Sequence, residues 1–134
     1  QFYNMTFNMP KTIIVGIAKK KKKRDFTFPA KIEKFKKMHP VTGGSAKFID
    51  FLEKELQPYI KANYKTNDST YLIGQSLGGL VASEILLKKP DLFSNYIIVS
   101  PSLWWDDGAL LKQAPALLTG QPDNKKWRKV LRAW

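Results

Sequence analysis

Residues 74–78 read Gly-Gln-Ser-Leu-Gly, between an apolar run from Thr70 to Ile73 and a stretch of helical periodicity from Leu80 to Lys89. A serine at such a junction can act as a nucleophile. It must stand clear of the sheet and face substrate, which a very tight strand-to-helix turn achieves by holding it at strained backbone angles. Gly74 and Gly78 are expected to be required, because side chains there would collide with the neighbouring strand or helix; Gly79 extends that tolerance. The turn sets Ser76 at a helix N-terminus, whose positive dipole end favours developing negative charge. The backbone N–H of Leu77 is then aimed at the oxyanion position. A glycine-rich loop cradling phosphate is the competing reading. No Gly-Lys-Ser/Thr follows, however, and the G-x-G-x-x-G spacing is absent.

The elements that must hold this turn follow from periodicity. Thr12 to Ile17 are β-branched and apolar on both faces, which predicts a buried strand of parallel type. Residues 19–44 keep no period and predict a long loop, with a short helix near 31–38. Phe48, Phe51, Leu52, Leu56, Tyr59 and Ile60 form one apolar stripe, predicting a helix from Ser45 to Asn63 with Ser45 as its N-cap. Pro58 should kink or interrupt it. Thr70 to Ile73 form the next strand. A helix from Leu80 to Lys89 turns Leu80, Val81, Ile85 and Leu86 inward and stops at Pro90. Tyr96 to Ser100 form a third strand. A short helix is expected around Gly108 to Leu118, and a further one from Asp123 to Ala133. Helical crossovers between strands imply a parallel sheet in an α/β layered domain, with ligands at the carboxyl ends of the strands.

Composition narrows the function. The chain has 134 residues, 43% of them hydrophobic and 25% charged, which fits one globular domain and excludes wholesale disorder. There is no cysteine, so disulfides, thiolate catalysis and Cys-ligated zinc are excluded. The single histidine, His39, excludes a site built from two histidines of this chain. No cofactor and no metal are expected. No apolar run approaches the ~20 residues of a spanning helix, and no segment reads as a signal peptide. The chain is expected to be soluble, with no single compartment indicated.

The net charge of +12 is localised. Residues 19–37 carry ten basic and two acidic residues, residues 125–132 carry five basic residues, and the remainder sums to −1. A solvated loop and tail explain such blocks most simply. An anionic substrate is a second reading. Nucleic-acid binding, with Phe26 and Phe28 stacking on bases, is a third and disfavoured one, because no nucleic-acid fold matches these elements.

Tyr71 to Leu80, with Ser76 at the turn, resembles the nucleophile elbow of the α/β-hydrolase superfamily. Ser100-Pro101-Ser102-Leu103-Trp104-Trp105-Asp106, after the next strand, resembles the esterase family that includes the ferric enterobactin (enterochelin) esterases and S-formylglutathione hydrolase. Ile13 to Ile17 followed by Arg24-Asp25-Phe26-Thr27, and Gly43-Gly44 leading into Phe48 to Leu56, agree with it. The resemblance spans roughly residues 10–118. It implies a three-layer α/β-hydrolase fold with a parallel sheet, represented here by a partial domain with a basic loop at 19–44 and an atypical basic tail at 119–134. It also implies a domain about twice this length, with further strands bearing the acid and then the histidine after residue 118. His39 precedes Ser76, so chain order argues against it as the base; Asp106 and Asp107 lie too early for the usual acid.

The resemblance thus implies a serine carboxylic-ester hydrolase acting on a small-molecule ester, of siderophore or other acyl type. Ser76 would be the nucleophile and Leu77 the oxyanion donor. Gln75, Trp104 and Trp105 would line the substrate pocket, though ordinary packing under a loop explains the tryptophans as well. The basic loop should emerge at the same carboxyl edge. The rival reading is a non-catalytic relative that binds a ligand or partner. An incomplete sheet would also expose apolar edges, which favours self-association.

Overall fold

The computed structural model describes residues 11–18, 20–119 and the backbone of 130–133. Two short helices, α1 (Lys22–Asp25) and α2 (Glu33–Met38), interrupt the basic segment. They are followed by α3 (Ser45–Phe51), a π-helical turn (Leu52–Leu56) and α4 (Gln57–Asn63), which together form one continuous rod. Strand β1 (Tyr71–Gln75) leads into α5 (Leu77–Lys88). A 3₁₀ turn (Pro90–Leu92), strand β2 (Asn95–Val99), α6 (Trp105–Thr119) and strand β3 (Val130–Ala133) complete the order.

The strands pair in parallel in the order β1-β2-β3, with Gln75 opposite Val99 and Val99 opposite Ala133. Their carboxyl ends are therefore level. Even-numbered residues of β1 and β2 face the helices: Leu72, Tyr96 and Ile98 pack with Phe48, Ile49, Leu52, Val81 and Ile85. The opposite face bears Tyr71 and Ile73, which are exposed. Among the described residues two layers of the expected three are present. A second core of Phe28, Ala30, Leu80, Trp105 and Leu110 lies on the other flank of α5. The helix thus divides the interior, one side serving the sheet and the other anchoring the loops at the carboxyl edge.

Several expectations are corrected. Thr12 to Ile17 form no strand, and Ile14 is 88% exposed. Their composition supplies β-propensity, but a strand is made by its ladder, and a cavity of about 650 Å³ lies between this segment, β1 and the π turn. The strands that do form pack against helices through Leu72, Tyr96 and Ile98, while Tyr71 and Ile73 of β1 are exposed on the other face. The interruption expected at Pro58 takes the form of the π turn at Leu52–Leu56 and leaves the rod continuous. The wider π turn just before it absorbs the missing N–H, and Pro58 occupies the first turn of α4, where no intrahelical donor is needed. Gly44 rather than Ser45 is the N-cap; Ser45 is buried inside the first turn, and its N–H donates to the Thr27 carbonyl at 3.1 Å. At the tail, the backbone of 130–133 is a strand beside β2 where a helix was expected. The rest of that helix, and most of the 119–134 tail, lie outside the described residues.

Candidate active site

Ser76 sits between β1 and α5 with φ +55° and ψ −118°, a combination L-residues avoid. Such strain costs about 1–3 kcal/mol and persists only where surrounding contacts over-determine it. Here they do. The Ser76 N–H donates to the Val99 carbonyl at 3.2 Å, extending the β1–β2 ladder by one bond. Its carbonyl accepts from the Leu80 N–H and the Ser102 N–H, both at 3.0 Å. The turn is held from the strand, from the helix and from the loop after β2 at once, while the Ser76 residue remains exposed.

Two glycines permit this turn. A Cβ on Gly74 would lie 2.3 Å from the Gly78 carbonyl oxygen, and one on Gly79 would lie 2.9 Å from Pro101 Cα. Gly78 differs from expectation: a Cβ there would meet nothing within 4 Å. The constraint belongs to Gly74 and Gly79, because Gly78 points away from the sheet and from the β2 loop.

Leu77 is the first residue of α5, so its N–H has no acceptor within the helix. That free donor follows Ser76 directly, at the positive end of a twelve-residue helix. Gln75, the last residue of β1, is exposed beside it.

The loop after β2 comes to the same edge. Ser100 takes φ +41° and turns the chain back over the elbow. The Ser102 hydroxyl then lies 3.3 Å from that of Ser76. The stretch Ser100 to Asp106 carries the family resemblance, but nothing in it gave Ser102 a role; the signal that could have done so was its place in the loop after the strand next to the elbow. The paired tryptophans do not share one role. Trp105 is 2% exposed, its indole N–H donates to the Phe28 carbonyl at 3.0 Å, and Phe35 packs edge-on against it. It is a core residue. Trp104 is 59% exposed, its ring 6.2 Å from that of Trp105, and remains available to a ligand.

The basic segment is tied to this edge by Asp106. Its buried carboxylate accepts the backbone N–H groups of Lys31, at 2.9 Å, and Ile32, at 3.0 Å. Asp106 is thus committed to the loop. Asp107 is exposed and paired with Lys112 at 2.6 Å, and this hydrogen bond holds its carboxyl below the usual aspartate range. His39 lies against Trp105, ring centroids 5.5 Å apart. The recorded hydrogen bond of the Ser76 hydroxyl is to Ser102. Among the described residues no group of three or more His, Cys, Asp or Glu could hold a metal, and no helix is long and apolar enough to cross a membrane.

The family described as "Putative esterase" matches residues 2–133. The chain is 34% identical over 116 residues to the ferri-bacillibactin esterase BesA of Bacillus subtilis, covering 82% of this chain and 40% of that protein. It is 36% identical over 78 residues to the siderophore triacetylfusarinine C esterase of Aspergillus fumigatus, covering 57% of this chain and 27% of that protein. Among solved structures, an IroE-like serine hydrolase from Shewanella oneidensis superposes with a TM-score of 0.68 at 33% identity, over 78% of this chain and 34% of that one. The chain spans less than half the length of each of these relatives.

Proposed function

The chain belongs to the esterase family, and on that premise we propose that Ser76 is the nucleophile of a serine carboxylic-ester hydrolase of the α/β-hydrolase fold. The observation that carries this reading is the strained, exposed serine at the strand–helix turn, followed at once by a helix-start N–H. Ser76 Oγ attacks the ester carbonyl carbon, and the Leu77 N–H stabilises the oxyanion that forms. Trp104 forms one wall of the acyl or aryl subsite, and Gln75 borders it.

The substrate is a siderophore-type ester, the class named for the relatives. The basic segment supports this, because Asp106 fastens it at the edge where Ser76 emerges. A ferric catecholate is polyanionic, and exposed lysines would attract it in a salt-dependent way.

A serine-directed fluorophosphonate tests the nucleophile: labelling at Ser76, absent in Ser76→Ala, is expected. A silent Ser76 would favour a non-catalytic binder. Salt tests the substrate class: KM for a ferric catecholate trilactone should rise with ionic strength, and a flat response removes the role of the basic segment. His39 packs on Trp105, so the 134-residue chain alone should turn over p-nitrophenyl acetate only weakly, within the ~10³–10⁴-fold over water that remains when a triad member is missing. Robust turnover abolished by Ser76→Ala would place a base within the chain.

A further inference from the structure

Ser102 stands against Ser76 from the neighbouring loop, and three features fix its place. Ser100 turns the chain with a positive φ. Pro101 packs under the elbow, close enough to exclude a side chain at position 79. The Trp105 N–H donates to the Ser102 carbonyl at 3.2 Å. Ser102 is 5% exposed, and the hydrogen bond recorded for its hydroxyl is to Ser76. A buried hydroxyl left without a partner carries a desolvation cost that alanine avoids. The hydroxyl at position 102 is thus satisfied through the nucleophile, and the backbone bond from the Ser102 N–H to the Ser76 carbonyl keeps the two residues in register.

We propose that Ser102 is a positioning residue whose hydroxyl donates to Ser76 Oγ and holds it in the attacking rotamer. The inference rests on the reading of Ser76 as the nucleophile. A serine hydroxyl has one donor and two acceptor sites. With Ser102 donating, the Ser76 proton stays free for a base, and a lone pair on Oγ stays free for the carbonyl carbon. The 3.3 Å separation is longer than the usual O–H···O bond. It orients the oxygen while drawing little density from it. When water then attacks the acyl carbonyl carbon, a new C–O bond forms, the water proton passes by way of the base to Oγ as the C–Oγ bond cleaves, the carboxylic acid leaves, and the Ser102 donor again faces the released oxygen.

Two measurements on the full chain test this. A fluorophosphonate forms an Oγ–P bond at Ser76, expels fluoride and releases the hydroxyl proton to solvent base; the rate is followed by intact mass. Ser102→Ala should slow labelling about tenfold, the scale on which small misplacements of a reacting group act, and Ser102→Thr, which keeps the hydroxyl, should recover most of it. The Ser76 three-bond Hα–Hβ couplings measured by NMR should report one χ1 rotamer in the parent chain and averaging in Ser102→Ala. Amide exchange at Leu80 and Ser102 confirms that the elbow is intact; should Ser102→Ala lose that protection, Ser102→Cys, of similar volume and weaker as a donor, makes the same comparison. Unchanged labelling together with an unchanged rotamer overturns the proposal. A parent chain that is never labelled, but whose Ser76 rotamer loosens in Ser102→Ala, supports the positioning role and sinks the hydrolase reading instead.

Discussion

Gly74 faces the carbonyl oxygen of Gly78 so closely that a Cβ would stand 2.3 Å from it. The approach is backbone against backbone, with no flexible side chain to give way. Gly74→Ala should therefore destabilise the chain by at least the 1–3 kcal/mol typical of overpacking, and Gly79→Ala should do likewise against Pro101. Gly78→Ala should be neutral or stabilising by up to about 1 kcal/mol, since it adds helix propensity in open space. Urea denaturation midpoints of the three variants check the order; equal losses at 74 and 78 would contradict it.

Asp106 joins two segments 75 residues apart through a pair of backbone hydrogen bonds. Bonds to a buried carboxylate are worth more than neutral ones. Asp106→Ala should cost about 2–4 kcal/mol and should speed amide exchange at Lys31 and Ile32. Asp106→Asn, which tolerates the left-handed backbone and keeps one acceptor, should fall between. Exchange at those two amides that stays unchanged in Asp106→Ala would show that the basic segment is held by other means.

The two tryptophans should separate cleanly. Trp105→Phe leaves the Phe28 carbonyl without its donor in a dry core and should lower stability by about 1–3 kcal/mol. Trp104→Ala should stay within about 0.5 kcal/mol of the parent chain, as exposed substitutions usually do, and should act on ester KM instead. Denaturation and steady-state kinetics on the pair decide the assignment.

Tyr96 lies in the sheet core, and its hydroxyl bonds to the Lys89 and Pro90 carbonyls. Burial, aided by the charge of Asp91 and opposed by the Phe93 backbone, pushes its pKa up to about 12 from an ordinary 10.0. The folded state thus holds the phenol proton more tightly than the unfolded chain. Its contribution to stability is complete below pH ~10 and is lost as pH rises toward ~12, on the order of 2 kcal/mol. Stability measured across that window should fall less steeply in Tyr96→Phe. Identical slopes would indicate that the phenol titrates normally.

What could be read in advance was what short-range chemistry dictates. The elbow was visible because a strained serine between strand and helix leaves a local mark in Gly74, Ser76 and Gly78, although the structure moves the second steric constraint from Gly78 to Gly79. The stripe through Phe48, Leu52, Leu56 and Ile60 marked the long helix. The features that escaped depend on distant partners. Thr12 to Ile17 carry strand composition, but a ladder is a property of two segments. Trp105 and Trp104 are chemically alike, and only the Phe28 carbonyl and the Phe35 ring make one of them core. Ser102 gains meaning only because Pro101 and the Ser76 carbonyl draw its loop onto the elbow. The interruption of the basic loop by α1 and α2 also left no period, since helices of four and six residues are too short to establish one.

Asp106, Asp107 and Gly108 form three successive residues with left-handed angles, φ +50°, +55° and +70°. Each non-glycine residue there carries a penalty that only asparagine and aspartate soften. These positions therefore accept a very restricted alphabet of amino acids. Saturation mutagenesis would find Asp107, a solvent-facing residue, nearly as intolerant of valine or isoleucine as a buried one, because what the position demands is handedness.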